Sequence, residues 1–300
     1  MATLELLRVS ASTPPAPGVR SLPVLTKLID TSPCIGCKAC EVACQEWNDL
    51  PPETTVQLGT YQTLPEMSAN FWNLIKFREH EENGALQWLM RKDQCMHCAE
   101  PGCLVACPAP GAIVQYTNGI VDFQQDQCIG CGYCITGCPF DVPKIHTRTK
   151  RVYKCTLCVD RVAVGLQPAC VKACPTSCLQ FGTKEAMLEI AGKRVTQLKA
   201  NGFPDAAIYD PPGVGGTSVV TVLTHGDRPE LYGLPRDPSV PLAVRLWKGP
   251  LKWIGNLAML GGVLGVFVHF LRYGRKNLEG TETTDLKNGA TKSTKETKNT

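Results

Sequence analysis

Apolar residues are unevenly spread along this chain, and only a few stretches carry a periodic signal. The longest is residues 253–271, nineteen positions without Asp, Glu, Lys or Arg. At about 1.5 Å per residue they span roughly 28 Å, close to the thickness of a hydrocarbon core, so a transmembrane helix is predicted over 248–273. Trp247, Trp253 and Tyr273 stand at its edges as interface aromatics, and the basic flanks (Lys248 and Lys252 before; Arg272, Arg275 and Lys276 after) slightly favour a cytoplasmic C-terminus. Gly261-x3-Gly265 and Ala258-x3-Gly262 place small residues on one side, a helix-packing pattern in lipid. Asn256 and His269 are the polar residues within the span. A helical period recurs at 183–202, where Met187, Ala191, Val195 and Leu198 share a face, Thr183 is placed to cap and Gly202 to stop. Two short β segments, 112–116 and 120–123, flank Asn118-Gly119 and predict a hairpin. Residues 203–247 are Pro-rich, with one strand candidate at 218–223. The ends carry no period: 1–26, with Pro14, Pro15 and Pro17, reads as a flexible arm, and the Thr- and Lys-rich 274–300 as a disordered tail.

Composition changes this picture in one respect. Of 300 residues 19% are charged, below the globular norm of about 25%, and the net charge of +4 is too weak to argue for a nucleic-acid partner. No secretory signal is expected in 1–20, where Glu5 and Arg8 interrupt any apolar run. Cysteine is the exception: there are 17. A disulfide scaffold is excluded because such scaffolds are short, the count is odd, and the spacings bring several sulfurs to one point, as a metal centre needs.

Four motifs recur within 27–182. They are Cys34-x2-Cys37-x2-Cys40-x3-Cys44; Cys95-x2-Cys98-x4-Cys103-x3-Cys107-Pro108; Cys128-x2-Cys131-x2-Cys134-x3-Cys138-Pro139; and Cys155-x2-Cys158-x11-Cys170-x3-Cys174-Pro175. The third is the bacterial ferredoxin run without exception. Each iron of a [4Fe–4S] cubane takes one soft thiolate, and a tight loop with two-residue spacers wraps one cluster with three. The fourth cysteine is expected to start a helical segment, with the following proline at its first position, and to ligate the other cluster of a pair. Four clusters in two pairs result. Motifs nearest in sequence pair first, so the ligand sets are Cys95, Cys98, Cys103 with Cys138; Cys128, Cys131, Cys134 with Cys107; Cys34, Cys37, Cys40 with Cys174; and Cys155, Cys158, Cys170 with Cys44. Zinc is the rival metal, but its sites take four ligands in two pairs, often with His. Cys178 is left outside the set as a buried thiol, one helical turn past Cys174, and His97 is read as a spacer that hydrogen-bonds near a cluster.

The expected fold is α+β and loop-rich: two ferredoxin-like two-cluster units related by internal repeat, plus one C-terminal transmembrane helix. The outer unit comprises 27–90 with 145–182, the inner unit 91–144 is inserted in it, and 183–247 is a helix followed by an irregular linker. Catalysis by this chain alone is not expected: no nucleophile–base pair stands out, and Gly213-Val-Gly-Gly216 follows two prolines with no helix start behind it, so it reads as a turn.

At this density of motif the chain resembles the iron–sulfur β subunits of membrane-bound respiratory formate dehydrogenases. The segments carrying the likeness are Cys34-Ile-Gly-Cys-Lys-Ala-Cys-Glu-Val-Ala-Cys-Gln-Glu-Trp-Asn-Asp49, Arg91-Lys-Asp-Gln-Cys-Met-His-Cys98, Cys107-Pro-Ala-Pro-Gly-Ala-Ile-Val-Gln-Tyr116, Cys128-Ile-Gly-Cys-Gly-Tyr-Cys-Ile-Thr-Gly-Cys-Pro-Phe140 and Lys154-Cys-Thr-Leu-Cys-Val-Asp-Arg161. The resemblance implies a relay between a molybdenum or tungsten bis-pterin catalytic subunit and a haem-bearing cytochrome b subunit docked on the C-terminal helix, with electrons from formate passing to quinone. It implies the same pairing of first with fourth motif and second with third. It further implies a periplasmic globular part, a cytoplasmic C-terminus, and export with a signal-bearing partner. The nearest alternative is the equivalent subunit of another membrane oxidoreductase, of hydrogenase, polysulfide or dimethyl sulfoxide reductase type. The nitrate-reductase branch is disfavoured because no motif here is short of a ligand.

Overall fold

The structure is a computed structural model, described here for residues 8–10, 23–55, 59–62, 64–82 and 84–274. Most of the expected arm and the tail beyond Gly274 lie outside these residues. Within the arm segment, strand β1 (Arg8–Ser10) is described by its backbone. Strand β2 (Leu25–Asp30) leads to helix α1 (Ala39–Trp47), then to the hairpin of β3 (Leu74–Glu82) and β4 (Ala85–Asp93). Helix α2 (Gly102–Ala106), strands β5 (Ile113–Tyr116) and β6 (Val121–Phe123) and helix α3 (Tyr133–Thr136) follow. Two-residue strands β7 (Lys144–Ile145) and β8 (Val152–Tyr153) precede helices α4 (Val159–Ala163) and α5 (Ala169–Lys172). Strand β9 (Leu179–Thr183), helix α6 (Lys184–Ala200), strands β10 (Ala207–Tyr209) and β11 (Val219–Leu223) and helix α7 (Leu242–Lys248) lead to helix α8 (Pro250–His269).

The organising element is a four-stranded sheet in the order β10-β11-β2-β9, in which β2 pairs parallel with β11 and antiparallel with β9. β11 is buried at all five positions, as a strand covered on both faces should be. Alternation assigns the faces. Leu28, Val220 and Val222 pack with Met187, Ala191 and Leu198 of α6, whereas Ile29, Val219 and Leu223 join the larger core containing Cys40 and Cys170. α6 is capped as the sequence predicts, the Thr183 hydroxyl accepting from the Ala186 N–H at 3.3 Å, and Gly202 ends it at φ +92°. Because β2 precedes the first cysteine motif and β9 follows the fourth, their register from Leu25↔Thr183 to Ile29↔Leu179 brings the two ends of the cysteine region together.

The expected hairpin forms between β5 and β6. Gly119 N–H closes a turn on the Tyr116 carbonyl at 2.9 Å, with Gly119 at φ +91°. This is the three-residue loop with a left-handed glycine, and β1 adds to its outer edge. The chain divides into units 1–245 and 246–300. In the second, Pro250 occupies the first position of α8, where no N–H is needed. The helix continues as a π-turn over Phe270–Gly274, and all its side chains are exposed along an apolar length sufficient to cross a membrane. A buried core helix is therefore excluded.

Candidate metal centres

Each cysteine loop turns on left-handed residues: Gly36 and Lys38, His97, Gly130 and Gly132, and Leu157 with Cys158. Such turns collect successive N–H groups into a nest that favours an anion. At Gly130 the need for glycine is also steric, since a Cβ there would stand 2.1 Å from the Lys150 carbonyl oxygen. His97 and Leu157 occupy left-handed space without being glycine, at a cost of about 1–2 kcal/mol each, and backbone strain of this kind gathers at functional sites. The two loops match in detail: His97 N–H donates to Cys95 Sγ, and Leu157 N–H to Cys155 Sγ, each at 3.4 Å. His97 is wholly buried, and its Nδ1 accepts from Val121 N–H at 3.1 Å. Burial holds its pKa well below the usual histidine range, so it is a neutral packing and hydrogen-bonding group.

One expectation is corrected. The fourth cysteine does not begin a helix. The helices run from the third cysteine toward the fourth: α1 holds Cys40 and Cys44, while α2, α3 and α5 hold Cys103, Cys134 and Cys170 and end just before Cys107, Cys138 and Cys174. Pro108, Pro139 and Pro175 explain the stop, because a residue before proline is pushed out of helical space; Cys107 sits at φ −66°, ψ 125°. Where Gln45 replaces proline, the helix continues to Trp47. In α1, where the helix runs through both, the x3 spacing puts the Cys40 and Cys44 sulfurs on one face about 6 Å apart along the axis, so one side serves two neighbouring sites. Cys178 likewise is not on a helix but immediately precedes β9.

All seventeen cysteines are free, and sixteen fall into four groups. Cys34, Cys37, Cys40 and Cys174 line one cavity. Cys95, Cys98, Cys103 and Cys138 line another. Cys44 is pushed up to about 12 by burial and then by Cys155, with Cys170 and Cys158 adding to it. Cys134 is pushed up to about 12 by burial and then by Cys107, Cys128 and Cys131. Helix α1 packs on α5 and α2 on α3, so each group draws three cysteines from one motif and one from a partner motif. Cys170 acts on Cys40, and Cys155 on Cys95. The groups therefore run in the order Cys34, Cys155, Cys95, Cys128, with exposed Cys37 and Cys131 in the two end groups.

Sequence reasoning left Cys178 apart, yet it lines the first cavity and its Sγ lies 3.4 Å from Cys174 Sγ. A hydrogen bond from Cys178 holds the Cys34 thiol below its ordinary value. Sequence reasoning also missed three buried lysines. Lys27 Nζ donates to Cys170 Sγ at 3.1 Å. Burial pushes the Cys170 thiol up, but Lys27 and Lys92 outweigh that and hold it below the ordinary value. Lys92 Nζ is buried without a hydrogen-bond partner. Lys154 is 3% exposed and donates to the Val121 and Cys155 carbonyls at 2.5 and 2.9 Å. Thiolate groups with buried cations and N–H nests fit an anionic iron–sulfur cluster.

A separate group, His80, Glu82 and His225, holds ligand-type atoms within 4.8 Å of one another. Arg228 already supplies a cation there, donating to Glu82 Oε1 at 2.6 Å and approaching His80 Nε2 at 3.5 Å.

The cysteine pattern and its nests define an iron–sulfur protein of the dicluster type, and two models of the 4Fe-4S dicluster domain match residues 33–112 and 86–184. A third model, formate dehydrogenase N, transmembrane, matches 240–282 over the apolar helix, which makes this a membrane-anchored chain. The formate dehydrogenase iron-sulfur subunit of Haemophilus influenzae is 54% identical over 285 residues, covering 93% of this chain and 91% of the relative. The nitrate-inducible formate dehydrogenase iron-sulfur subunit of Escherichia coli is 53% identical over 278 residues, covering 91% and 95%. Formate dehydrogenase 2 subunit beta (cytochrome c-553) of Nitratidesulfovibrio vulgaris is 38% identical over 204 residues, 65% of this chain and 91% of the relative. The chain belongs to the family of formate dehydrogenase iron–sulfur subunits.

Proposed function

We propose that this chain relays electrons from a formate-oxidising catalytic subunit to a membrane subunit, holding four [4Fe–4S] clusters on sixteen cysteines. The observation that carries the reading is the sharing of cysteines between motifs, three from one and one from its partner in each group. On this reading the ligand sets are Cys34, Cys37, Cys40 and Cys174; Cys44, Cys155, Cys158 and Cys170; Cys95, Cys98, Cys103 and Cys138; and Cys107, Cys128, Cys131 and Cys134. The packing of α1 on α5 and α2 on α3 supports two ferredoxin-like units, the inner over 91–144 and the outer built from 27–90 with 145–182. When bound, each cluster takes up and releases one electron at a time. The chain's own part is to hold the sulfurs, exclude water and present the two end groups at Cys37 and Cys131 to partners. Those partners are a molybdenum or tungsten bis-pterin subunit and a quinone-reducing cytochrome b subunit docked on α8. The globular part is periplasmic, the C-terminus cytoplasmic, and export is shared with the catalytic partner. The relatives favour formate dehydrogenase over a hydrogenase or sulfur-compound reductase.

The test is anaerobic purification of the tagged chain from its membranes, with its visible spectrum, iron and acid-labile sulfide measured on one sample. About sixteen irons per chain, with bleaching of the visible band by formate in the intact complex, is the expected result. A colourless chain holding zinc overturns it. A brown chain with no formate-oxidising partner keeps the clusters and overturns the substrate.

A further inference from the structure

Removing a lysine ammonium from water is costly unless opposite charge stands near it. Lys27, Lys92 and Lys154 are 0%, 2% and 3% exposed, and each lies at a cysteine group. Lys27 occupies an inward position on β2; its acceptors are Cys170 Sγ and Gln94 Oε1, both at 3.1 Å, with Cys155 and Cys158 the next negative groups. Lys154 lines the cavity of Cys95, Cys98, Cys103 and Cys138, and its charge faces Cys95, Asp122, Cys103 and Cys155. Lys92 lines the cavity of Cys34 and acts on Cys40, Cys44 and Cys170. The lysines thus concentrate on the two interior groups and the junctions beside them. Those interior groups are also the drier ones: of their eight cysteines all but the half-buried Cys138 are buried, whereas each end group has an exposed cysteine.

A cluster on four thiolates is anionic, and reduction adds a further negative charge. At a surface, water stabilises that charge; in a dry interior it does not, and burial alone lowers the reduction potential. We infer that Lys27 and Lys154, with Lys92 between the outer pair, are fixed counter-charges that hold up the potentials of the two interior clusters, standing in for the water that reaches the end groups. The inference rests on the cluster reading above. Without these charges the middle of the relay becomes an uphill step between two solvent-facing ends. The lysines act through the cysteine groups and are tuning residues, not catalytic ones.

The experiment is a redox titration followed by electron paramagnetic resonance on the full-length tagged chain, purified anaerobically in the complex it forms. Lys27→Gln and Lys154→Gln are compared with wild type and with Lys27→Arg and Lys154→Arg. In each Gln variant one midpoint is expected to move to lower potential, changing the oxidised-to-reduced ratio at fixed potential at least tenfold, about 59 mV for one electron. The Arg variant recovers most of that shift. Unmoved midpoints in both Gln variants overturn the inference, as does a shift that Arg does not reverse. If a Gln variant loses iron, iron restored by Arg with the midpoint in place supports the charge. Iron lost in both assigns the lysine to shape and overturns the role. A wild-type chain without iron and sulfide fails the cluster reading itself, before any variant is compared.

Discussion

Gly102→Ala is the most exacting test of how the inner sites are built. Gly102 opens α2, and a Cβ there would stand 2.2 Å from the carbonyl oxygen of Gly137, at the end of α3; a Cβ on Gly137 would stand 2.6 Å from the Gly102 carbonyl oxygen. Ordinary contact begins near 3.4 Å, so the two backbones must part by more than 1 Å. The atom met is backbone, which cannot rotate aside as a flexible side chain could. Overpacking typically costs about 1–3 kcal/mol, and this contact belongs at the upper end. Alanine returns at most about 1 kcal/mol through helix propensity. The net loss is about 2 kcal/mol, a fall of roughly 4–8 °C in Tm for a unit of this size. The parting falls between the helices that exchange Cys107 and Cys138, so both inner groups should loosen while the outer two keep their geometry. Iron should fall from about sixteen toward about eight per chain, measured with sulfide on anaerobically purified protein beside a melting curve. Wild-type iron and Tm in Gly102→Ala would refute the reasoning.

Further outcomes follow from other sites. Cys34→Ser should lower iron by about four per chain, whereas Cys178→Ala should keep it, because the proposed set of Cys34, Cys37, Cys40 and Cys174 is complete without it; equal iron loss in both would place Cys178 among the ligands. His225 is held below its ordinary value chiefly by burial, with Arg228 and His80 reinforcing and Glu82 opposing, while Thr224 and Tyr232 bond its Nδ1. A depressed folded pKa stabilises above the unfolded value near 6.5 and loses that contribution as pH falls below it. Tm should therefore drop between pH 7 and pH 5.5, and His225→Gln should flatten about half of that drop in thermal melts; an identical slope would refute the assignment. Deleting residues 246–300 should release the chain from membranes and leave its iron unchanged, since unit 1–245 is compact by itself; iron loss in the soluble product would show that the anchor supports the sites.

The dicluster character was legible because the cysteine spacings within each motif are local. The β5–β6 hairpin and α6 were legible for the same reason, through Asn118-Gly119 and the Thr183 cap. The four-stranded sheet was not, because β2, β9, β10 and β11 pair across long separations and no local signal records that. β2 was further disguised: Lys27 breaks its apolar run at an inward position, and the residue that spoils the strand pattern is the one that meets Cys170. The sequence between β3 and β4 carries Asn83-Gly84, a usable signal, but the charges in the turn-side half of β3 and at Arg91–Asp93 of β4 hide the alternation. The direction of the motif helices was misread because proline was placed at a helix start, when Pro108, Pro139 and Pro175 are stops.

The two pairs of sites are closed by different means. The inner pair joins Cys95 and Cys138, about 43 residues apart, whereas the outer pair joins Cys34 and Cys174, about 140 apart. Loop-closure entropy grows only as the logarithm of length, so the outer closure costs about 1 kcal/mol more. The chain offsets that difference outside the cysteines: β2 and β9 bracket the outer loop and pair over Leu25↔Thr183 to Ile29↔Leu179, and Asp30 N–H donates to the Cys178 carbonyl at 2.8 Å. The inner loop has no such strand pair at its ends and relies on the backbone contact of Gly102 with Gly137. A sheet holds the long closure and a glycine contact the short one. That is why a single methyl group is expected to disturb the inner sites, while the outer sites should yield only to changes that break several β2–β9 hydrogen bonds together.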